Sequence, residues 1–156
     1  MKIGYSIISD FDDWLSLSRE VEPLFGPTAD ESSFQEALKQ AISLNTAFCI
    51  RTESDGTNKK LIGGVVISKD SNEILWLAVS QRYQRNGYGR KLIEFAINSL
   101  NTKEKINVQT FNESVPEGKP ARKLYMELGF KDIKDGGLNP AGIPTVIMQL
   151  NETGII

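Results

Sequence analysis

The chain has 156 residues, of which 40% are hydrophobic and 24% charged, and its formal net charge is −2. This length is typical of one domain and supports a core without disulfide staples. One cysteine and no histidine exclude an intramolecular disulfide scaffold, Cys/His zinc fingers, Ser-His-Asp triads and Cys-His dyads. We expect no metal site. The chain has no membrane-length apolar run, no signal-peptide core and no basic excess, so we expect a cytoplasmic protein without membrane or nucleic-acid partners.

Apolar periodicity and turn residues divide the chain into strands and helices. The predicted strands are 2–9, 47–51, 60–68, 73–79, 105–111, 130–134 and 145–150. The predicted helices begin at Phe11 with Asp10 as N-cap, at Asp30 or Ser32, at Gly89 and at Pro120. Polar or glycine-rich stretches break this pattern at 22–27, 52–58, 69–72 and 135–144.

This order of elements predicts a single α/β (α+β) domain over residues 1–150, followed by a C-terminal tail at 151–156. Three meandering strands come first, and a β–α–β–α–β arrangement follows them. Such an order favours a mixed sheet with helices on both faces.

The most informative segment runs from residue 77 to residue 92, where an apolar strand ends, a basic loop follows and a helix begins. A helix start offers unpaired backbone N–H groups and the positive end of the helix dipole. Glycines at 87 and 89 let a phosphate approach the backbone closely. The loop also carries Arg82, Arg85, Arg90 and Lys91, with no acidic residue between Val79 and Leu92. These features predict a diphosphate-binding loop.

Other glycine motifs fit this segment less well. The nucleotide P-loop requires G-x-x-x-x-G-K-[ST], which is absent, and the dinucleotide fingerprint would need a third glycine where Leu92 stands. A simple helix cap, whose glycines only turn the chain, remains an alternative for an isolated G-x-G.

Two stretches carry a resemblance to a known family. The hexapeptide 84–89, Gln-Arg-Asn-Gly-Tyr-Gly, resembles the Q/R-x-x-G-x-G/A signature of the GNAT (GCN5-related N-acetyltransferase) family, and the apolar strand 74–79 resembles that family's fourth strand. Residues 121–130, a short helix with a tyrosine and then Gly-Phe, resemble its second signature. The resemblance implies a mixed, mostly antiparallel sheet of about six to seven strands that splays between strands 4 and 5, near Val79 and Thr110.

The resemblance also implies acetyl-CoA as cosubstrate and direct transfer of its acetyl group to a primary amine. Leu77 and Val79, with Ala78 between them, would contact the pantetheine arm and the thioester carbonyl. The loop residues would hold the diphosphate: Gln84, Arg85, Asn86, Gly87, Tyr88, Gly89 and Arg90. Asn112 matches an asparagine that contacts pantetheine or substrate in relatives. Lys119 and Arg122 are close enough to the next helix start to reach the CoA phosphates, or they are solvated.

Two residues are candidates for the proton transfers. Tyr125 aligns with the family's usual general acid, which protonates the departing thiolate; alternatively it is only the aromatic residue of an amphipathic helix. Glu73 is the first candidate base, since strand alternation would place it on one face with Leu75, Leu77 and Val79, and burial would raise its pKa. Alternatively it only begins the strand in solvent. Glu113 and Glu117 are weaker candidates.

The amine acceptor is not identified by the sequence. Residues 10–36 carry eight acids and one base, which fits either a cationic small molecule or peptide amine, or simply solvated helix faces. Trp14, Phe25 and Phe34 would line an acceptor pocket or pack in the core, and the 135–144 loop would close over the acceptor. A non-catalytic acyl-CoA-binding module of the same fold is the alternative function. A homodimer is an expectation from the family.

Overall fold

The computed structural model describes residues 2–25, 29–52 and 60–151. Most of the predicted turn at 52–58, the predicted tail after residue 151 and the side chain of Phe25 lie outside the described residues. The strands are β1 (Ile3–Tyr5), β2 (Ala47–Arg51), β3 (Leu61–Ser68), β4 (Glu73–Val79), β5 (Ile106–Phe111), β6 (Lys131–Leu138) and β7 (Pro144–Leu150). The helices are α1 (Phe11–Phe25), α2 (Ser32–Ser43), α3 (Tyr88–Ser99) and α4 (Lys119–Glu127).

The seven strands form one mixed sheet in the order β1-β2-β3-β4-β5-β7-β6. Only β4 and β5 are parallel, and the other neighbours are antiparallel. The parallel pairing covers just Glu73 with Asn107 and Ile74 with Val108. Beyond these two pairs the strands separate, so the sheet has a gap that opens toward Val79. The predicted mixed sheet with a splay between strands 4 and 5 is confirmed.

Helices cover both faces of the sheet. On one face α3 and α4 pack over a core that includes Leu92, Ile106 and Tyr125. On the other face α1 and α2 pack over a second core around Trp14, Leu38 and Ala78. Trp14 is fully buried, and its ring lies 5.5 Å from that of Trp76. Of its two predicted roles, core packing is therefore the one observed.

A bulge in β4 changes which residues share a face. Val66 pairs with Trp76 and Ile67 with Ile74, so Leu75 is the extra residue and is 54% exposed. Ile74 and Leu77 consequently pack against the same core although they are three residues apart, while Trp76 packs against the other. The predicted common face for Glu73, Leu75, Leu77 and Val79 is wrong, because an extra strand residue reverses the alternation.

The first helix and its cap differ from the prediction. Helix α1 continues through the first part of the expected break, to Phe25. Asp10 does not cap α1. It ends a 3₁₀ turn (Ile8–Asp10), where its carboxylate accepts the Ile7 N–H at 2.8 Å and forms an ion pair with Arg51. This acid therefore serves the fold rather than an acidic rim.

The last hairpin is longer than the sequence indicates. Strand β6 extends to Leu138, so the predicted 135–144 loop shrinks to residues 139–143. The glycines that indicated a loop lie in an irregular part of the ladder, where Gly137 has φ +76°. Asn139 closes the short connection by accepting the N–H groups of Ala141 and Ile143 at 2.9 and 3.0 Å. The connection is thus a tight turn.

Candidate active site

The backbone of β4 directs polar groups toward the gap at its open end. The Ser80 N–H donates to the Ile62 carbonyl at 2.8 Å, and residues two apart in an antiparallel ladder direct their backbone groups the same way. Ala78 therefore bonds toward β3, whereas Leu77 and Val79 point toward the gap. Of the three predicted backbone contacts, only Leu77 and Val79 are placed to meet a ligand there.

The loop after β4 is shaped by its own side chains. The Gln84 side-chain amide donates to the Val79 carbonyl at 3.2 Å. The Asn86 amide donates to the carbonyls of Tyr83 and Gln84 at 3.0 and 3.1 Å. These bonds hold carbonyl groups inside the loop, away from an anion. Both side chains therefore act on the loop's conformation.

Positive backbone angles lead the loop into α3. Arg85 has φ +67° and Gly87, the N-cap of α3, has φ +81°. Only glycine adopts this left-handed region without steric cost, so Arg85 is mildly strained. The first turn of α3 leaves its N–H groups without helical partners, and alternating left-handed residues ahead of it create a concave anion site. This geometry fits a diphosphate.

The second glycine of the motif brings three elements together. A Cβ placed at Gly89 would lie 3.5 Å from Leu124 Cδ1 and 3.9 Å from Val79 Cγ2. The start of α3, the open end of β4 and the middle of α4 therefore meet at one point. Tyr88, beside it, is half-buried against the α3 core, and the Lys91 ammonium lies 5.8 Å from its ring centre.

Tyr125 lies on α4, one residue after this contact, and is 2% exposed. Its ring packs edge-on against Phe130 at 5.3 Å, which explains the Gly-Phe of the second signature: Gly129 has φ +103° and turns the chain so that Phe130 re-enters the core. Burial raises the pKa of the Tyr125 phenol. The phenol therefore remains protonated at neutral pH, as a proton donor must.

The predicted phosphate-binding cations differ in their surroundings. Arg90 lies 3.4 Å from the Glu127 carboxylate and 3.8 Å from Glu94. Arg122 forms a two-pronged pair with Asp132 at 2.8 and 2.6 Å, which raises the pKa of its guanidinium. Arg122 is therefore committed to joining α4 to β6. Lys119 lines an open cavity of about 600 Å³ on the outer face of α4. The other lining residues are Glu113, Arg122, Lys123, Met126 and Glu127.

Asn112 follows β5 at the other side of the gap. Its side-chain oxygen accepts the Ser114 N–H at 2.9 Å, and its own N–H donates to the Pro144 carbonyl at 3.0 Å. The segment then packs closely, since a Cβ at Gly118 would lie 2.5 Å from the Phe111 Cβ. Asn112 thus shapes this segment. Glu113 and Glu117 are exposed on it.

Glu73 lies at the closed end of the gap. Its backbone pairs with Asn107, where β4 and β5 still touch, and its carboxylate accepts the Ser71 hydroxyl at 2.8 Å. The open end near Val79 is six residues away along the strand. The structure thus separates Glu73 from the residues with which the sequence grouped it.

A different carboxylate meets the open end of β4. Glu20 on α1 accepts the Gln81 N–H at 2.6 Å and the Ser80 hydroxyl at 3.2 Å. From the sequence, Glu20 is only one of the acids of residues 10–36, because no local pattern links it to Ser80, sixty positions away. Arg19 and Asp30, from the same acidic stretch, form an exposed pair at 2.9 Å.

Metal-binding clusters and membrane-spanning helices are both absent from the described ranges. Across 2–25, 29–52 and 60–151, no group of three or more His, Cys, Asp or Glu side chains is arranged to hold a metal ion. No helix within those same ranges has the length and apolarity needed to cross a membrane.

A family model described as "Acetyltransferase (GNAT) domain" matches residues 25–152. The chain belongs to the GNAT acetyltransferase family. The match includes the gap, the glycine loop and α4, so the resemblance inferred from the two signatures is confirmed. No curated protein matches the chain.

Solved structures with the same fold are distant in sequence. The chain is similar to a GNAT-family acetyltransferase from Bacillus cereus, with 16% identity, TM-score 0.71 and 97% of each chain covered. It is similar to a chain of the NatC complex bound to Gag peptide and CoA, with 21% identity, TM-score 0.72 and coverage of 98% of this chain and 100% of that one. It is also similar to the ribosomal-protein-S18-alanine N-acetyltransferase from Escherichia coli, with 19% identity, TM-score 0.69 and coverage of 98% of this chain and 96% of that one. At these identities the likeness shows the GNAT fold.

Proposed function

We propose that this GNAT-family protein transfers the acetyl group of acetyl-CoA directly to a primary amine. The observation that carries the proposal is the meeting of three features at one place. These are the open end of the β4–β5 gap, the N-terminus of α3 behind Gly87, and the buried phenol of Tyr125 on α4. Together they offer a slot for an extended arm, a site for a diphosphate and a proton donor.

The chain's own groups divide the binding work. The backbone groups of Leu77 and the N–H of Val79 pair with the pantetheine arm, and a backbone N–H there polarises the thioester carbonyl. The Val79 carbonyl is held by the Gln84 side chain. The N–H groups of residues 85–90 hold the diphosphate. Gln84 and Asn86 contribute by fixing the loop. Lys119 and Asn112 lie at the margins of the proposed acetyl-CoA site. Arg122 contributes by joining α4 to β6 through its ion pair with Asp132.

Tyr125 donates the proton that the departing thiolate requires. The raised pKa of the buried phenol keeps this proton in place until a strong base forms next to it. The two solved relatives named for NatC and for the S18 N-acetyltransferase support an amine acceptor, including a peptide amine. The acceptor is thus a small cationic amine or a peptide or protein amine.

Glu73, the predicted proton acceptor for the incoming ammonium, does not lie at the open end of the gap. Glu73 was predicted from strand alternation, but its carboxylate accepts the Ser71 hydroxyl at the closed end of the gap. We keep Glu73 as a candidate to be tested by Glu73→Gln beside the variant below.

The test is release of free thiol from acetyl-CoA with a panel of polyamines, aminoglycosides, amino acids and short peptides. We expect release that requires a particular amine, and a decrease of at least about 100-fold in Tyr125→Phe, which removes only the hydroxyl. Binding of acetyl-CoA by calorimetry without turnover on any amine would instead support the non-catalytic acyl-CoA-binding module. Absence of acetyl-CoA binding would refute the diphosphate-binding role of the glycine loop, and with it both the enzyme and the binding module.

A further inference from the structure

Acetyl transfer to an amine requires a group that takes a proton from the acceptor ammonium, because only the free amine has a lone pair for attack. This inference rests on the function proposed above. The group must lie near the open end of the gap, where Leu77 and Val79 present their backbone. It must also lie on the face of the sheet from which the amine arrives. The glycine loop and α4 occupy one face, so the amine must use the other.

The two faces meet at the gap. Tyr125, α3 and α4 lie on one face, and α1 lies on the other, packed over Trp76 and Ala78. A break in a sheet is open to both sides, so a ligand held from the α3 side exposes its reacting end toward the α1 side. An amine acceptor therefore approaches from the face that α1 borders.

On that face one carboxylate contacts the end of β4. Glu20 holds the Ser80 hydroxyl at 3.2 Å through Oε1 and the Gln81 N–H at 2.6 Å through Oε2. Ser80 directly follows Val79, and its side chain points to the α1 face, as the contact with α1 requires. Glu20 is itself exposed to solvent, so it can release a proton after each turnover. Two bonds from β4 and its loop fix the carboxylate.

We propose that the Glu20 carboxylate, oriented by Ser80, accepts the proton of the acceptor ammonium. The ammonium N–H bond breaks and an O–H bond forms on Glu20, directly or through the Ser80 hydroxyl. The freed lone pair forms the new N–C bond to the thioester carbon, and the C–S bond breaks. Tyr125 gives its proton to the sulfur and regains one from the nitrogen as the amide forms, while Glu20 returns its proton to solvent. The balance is one amide, one free thiol and one proton.

Charged groups near Glu20 in sequence or across its contact lie on its own helix and on the loop that follows β4. On α1, Arg19 is held by Asp30, and the Glu22 carboxylate accepts the Ala29 N–H at 3.3 Å. On the loop between β4 and α3, Arg82 directly follows Gln81, whose N–H Glu20 accepts. Glu22 provides a matched control, because Glu22→Gln removes the same charge from the same helix two residues away.

The experiment compares wild type, Glu20→Gln, Glu22→Gln and Glu73→Gln in kcat/KM across pH 6–10, with acetyl-CoA affinity measured by calorimetry. For E20Q we expect kcat/KM to fall at least about 100-fold at neutral pH. Acetyl-CoA affinity should stay within about threefold, because the glutamine carbonyl still accepts the Gln81 N–H. The deficit should shrink as pH rises, because the solution then supplies free amine. E22Q should match the wild type.

Three results would overturn the proposal. The first is a loss confined to E73Q, which would make Glu73 the base. The second is an E20Q deficit that is constant across pH or is explained by weaker acetyl-CoA binding, which would reduce Glu20 to a support of the loop. The third is wild-type protein that turns over no amine, which would refute the proposed function itself and this inference with it.

Discussion

The glycine loop yields a paired test, because its backbone requires a glycine at position 87 but not at position 89. Gly87 has φ +81°, and a Cβ there would meet nothing within 4 Å. Alanine at this position would thus be strained by its backbone conformation alone. Gly89 has ordinary helical geometry, and its Cβ would make normal van der Waals contacts with Leu124 and Val79. One added methyl group should therefore have opposite effects at the two positions.

The magnitudes follow from the backbone. A left-handed conformation costs an L-residue about 1–2 kcal/mol, and 1 kcal/mol shifts Tm by about 2–4 °C at this chain length. Gly87→Ala should lower Tm by about 2–8 °C. Gly89→Ala should raise Tm by about 1–4 °C, because alanine gains about 0.5–1 kcal/mol over glycine in a helix.

Ligand affinity should separate the two variants more widely. We expect Gly87→Ala to rotate the first turn of α3 as the backbone relieves its strain. Each N–H bond then lost to a charged oxygen is worth about 1.5–3 kcal/mol, or at least about tenfold in Kd. Gly89→Ala should retain wild-type affinity, since its methyl group points into the contact with Leu124. The assays are thermal unfolding and calorimetric titration with acetyl-CoA. Equal affinity for Gly87→Ala and wild type, or a loss confined to Gly89→Ala, would refute the assignment of the diphosphate to this loop.

Three further predictions concern groups around the site and the fold. Because burial raises the pKa of Tyr125, the stability of wild type relative to Tyr125→Phe should be constant below about pH 10, the ordinary phenol value. It should fall as the pH rises further, which urea unfolding across pH 8–11 would check; a flat difference would contradict it. Asp10→Asn removes the carboxylate from its ion pair with Arg51 and should lower the unfolding free energy by about 3 kcal/mol in urea titration. A loss no larger than that of an exposed Asp→Asn variant would contradict a structural role for this pair. Gly118→Ala places a methyl group 2.5 Å from the Phe111 Cβ and should cost about 1–3 kcal/mol, measured by denaturant titration, and unchanged stability would show that the segment can move aside.

The sequence predicts those parts of the structure that depend on local patterns. The apolar run of β4 predicts its bounds, 73–79, as the structure has them. The glycine pair predicts where α3 begins to within one residue. Both features depend on neighbouring residues alone, so a single sequence is enough to find them.

Features that depend on long-range pairing are not predicted. The extra residue at Leu75 is set by the register between β3 and β4, and it moves Glu73 away from the face of Leu77. The contact of Glu20 with Ser80 joins residues sixty positions apart. The sequence indicates that an acid lies in a helix, but only the packing of that helix over the sheet selects one among eight.

Direct transfer of the acetyl group to an amine nitrogen can be followed by mass spectrometry. The protein is incubated with acetyl-CoA labelled in the acetyl group and with each amine that promotes thiol release. We expect one labelled acetyl group on the amine for every thiol released, and no label on the protein. Thiol release without labelled amide, or label retained covalently on the protein, would refute direct transfer.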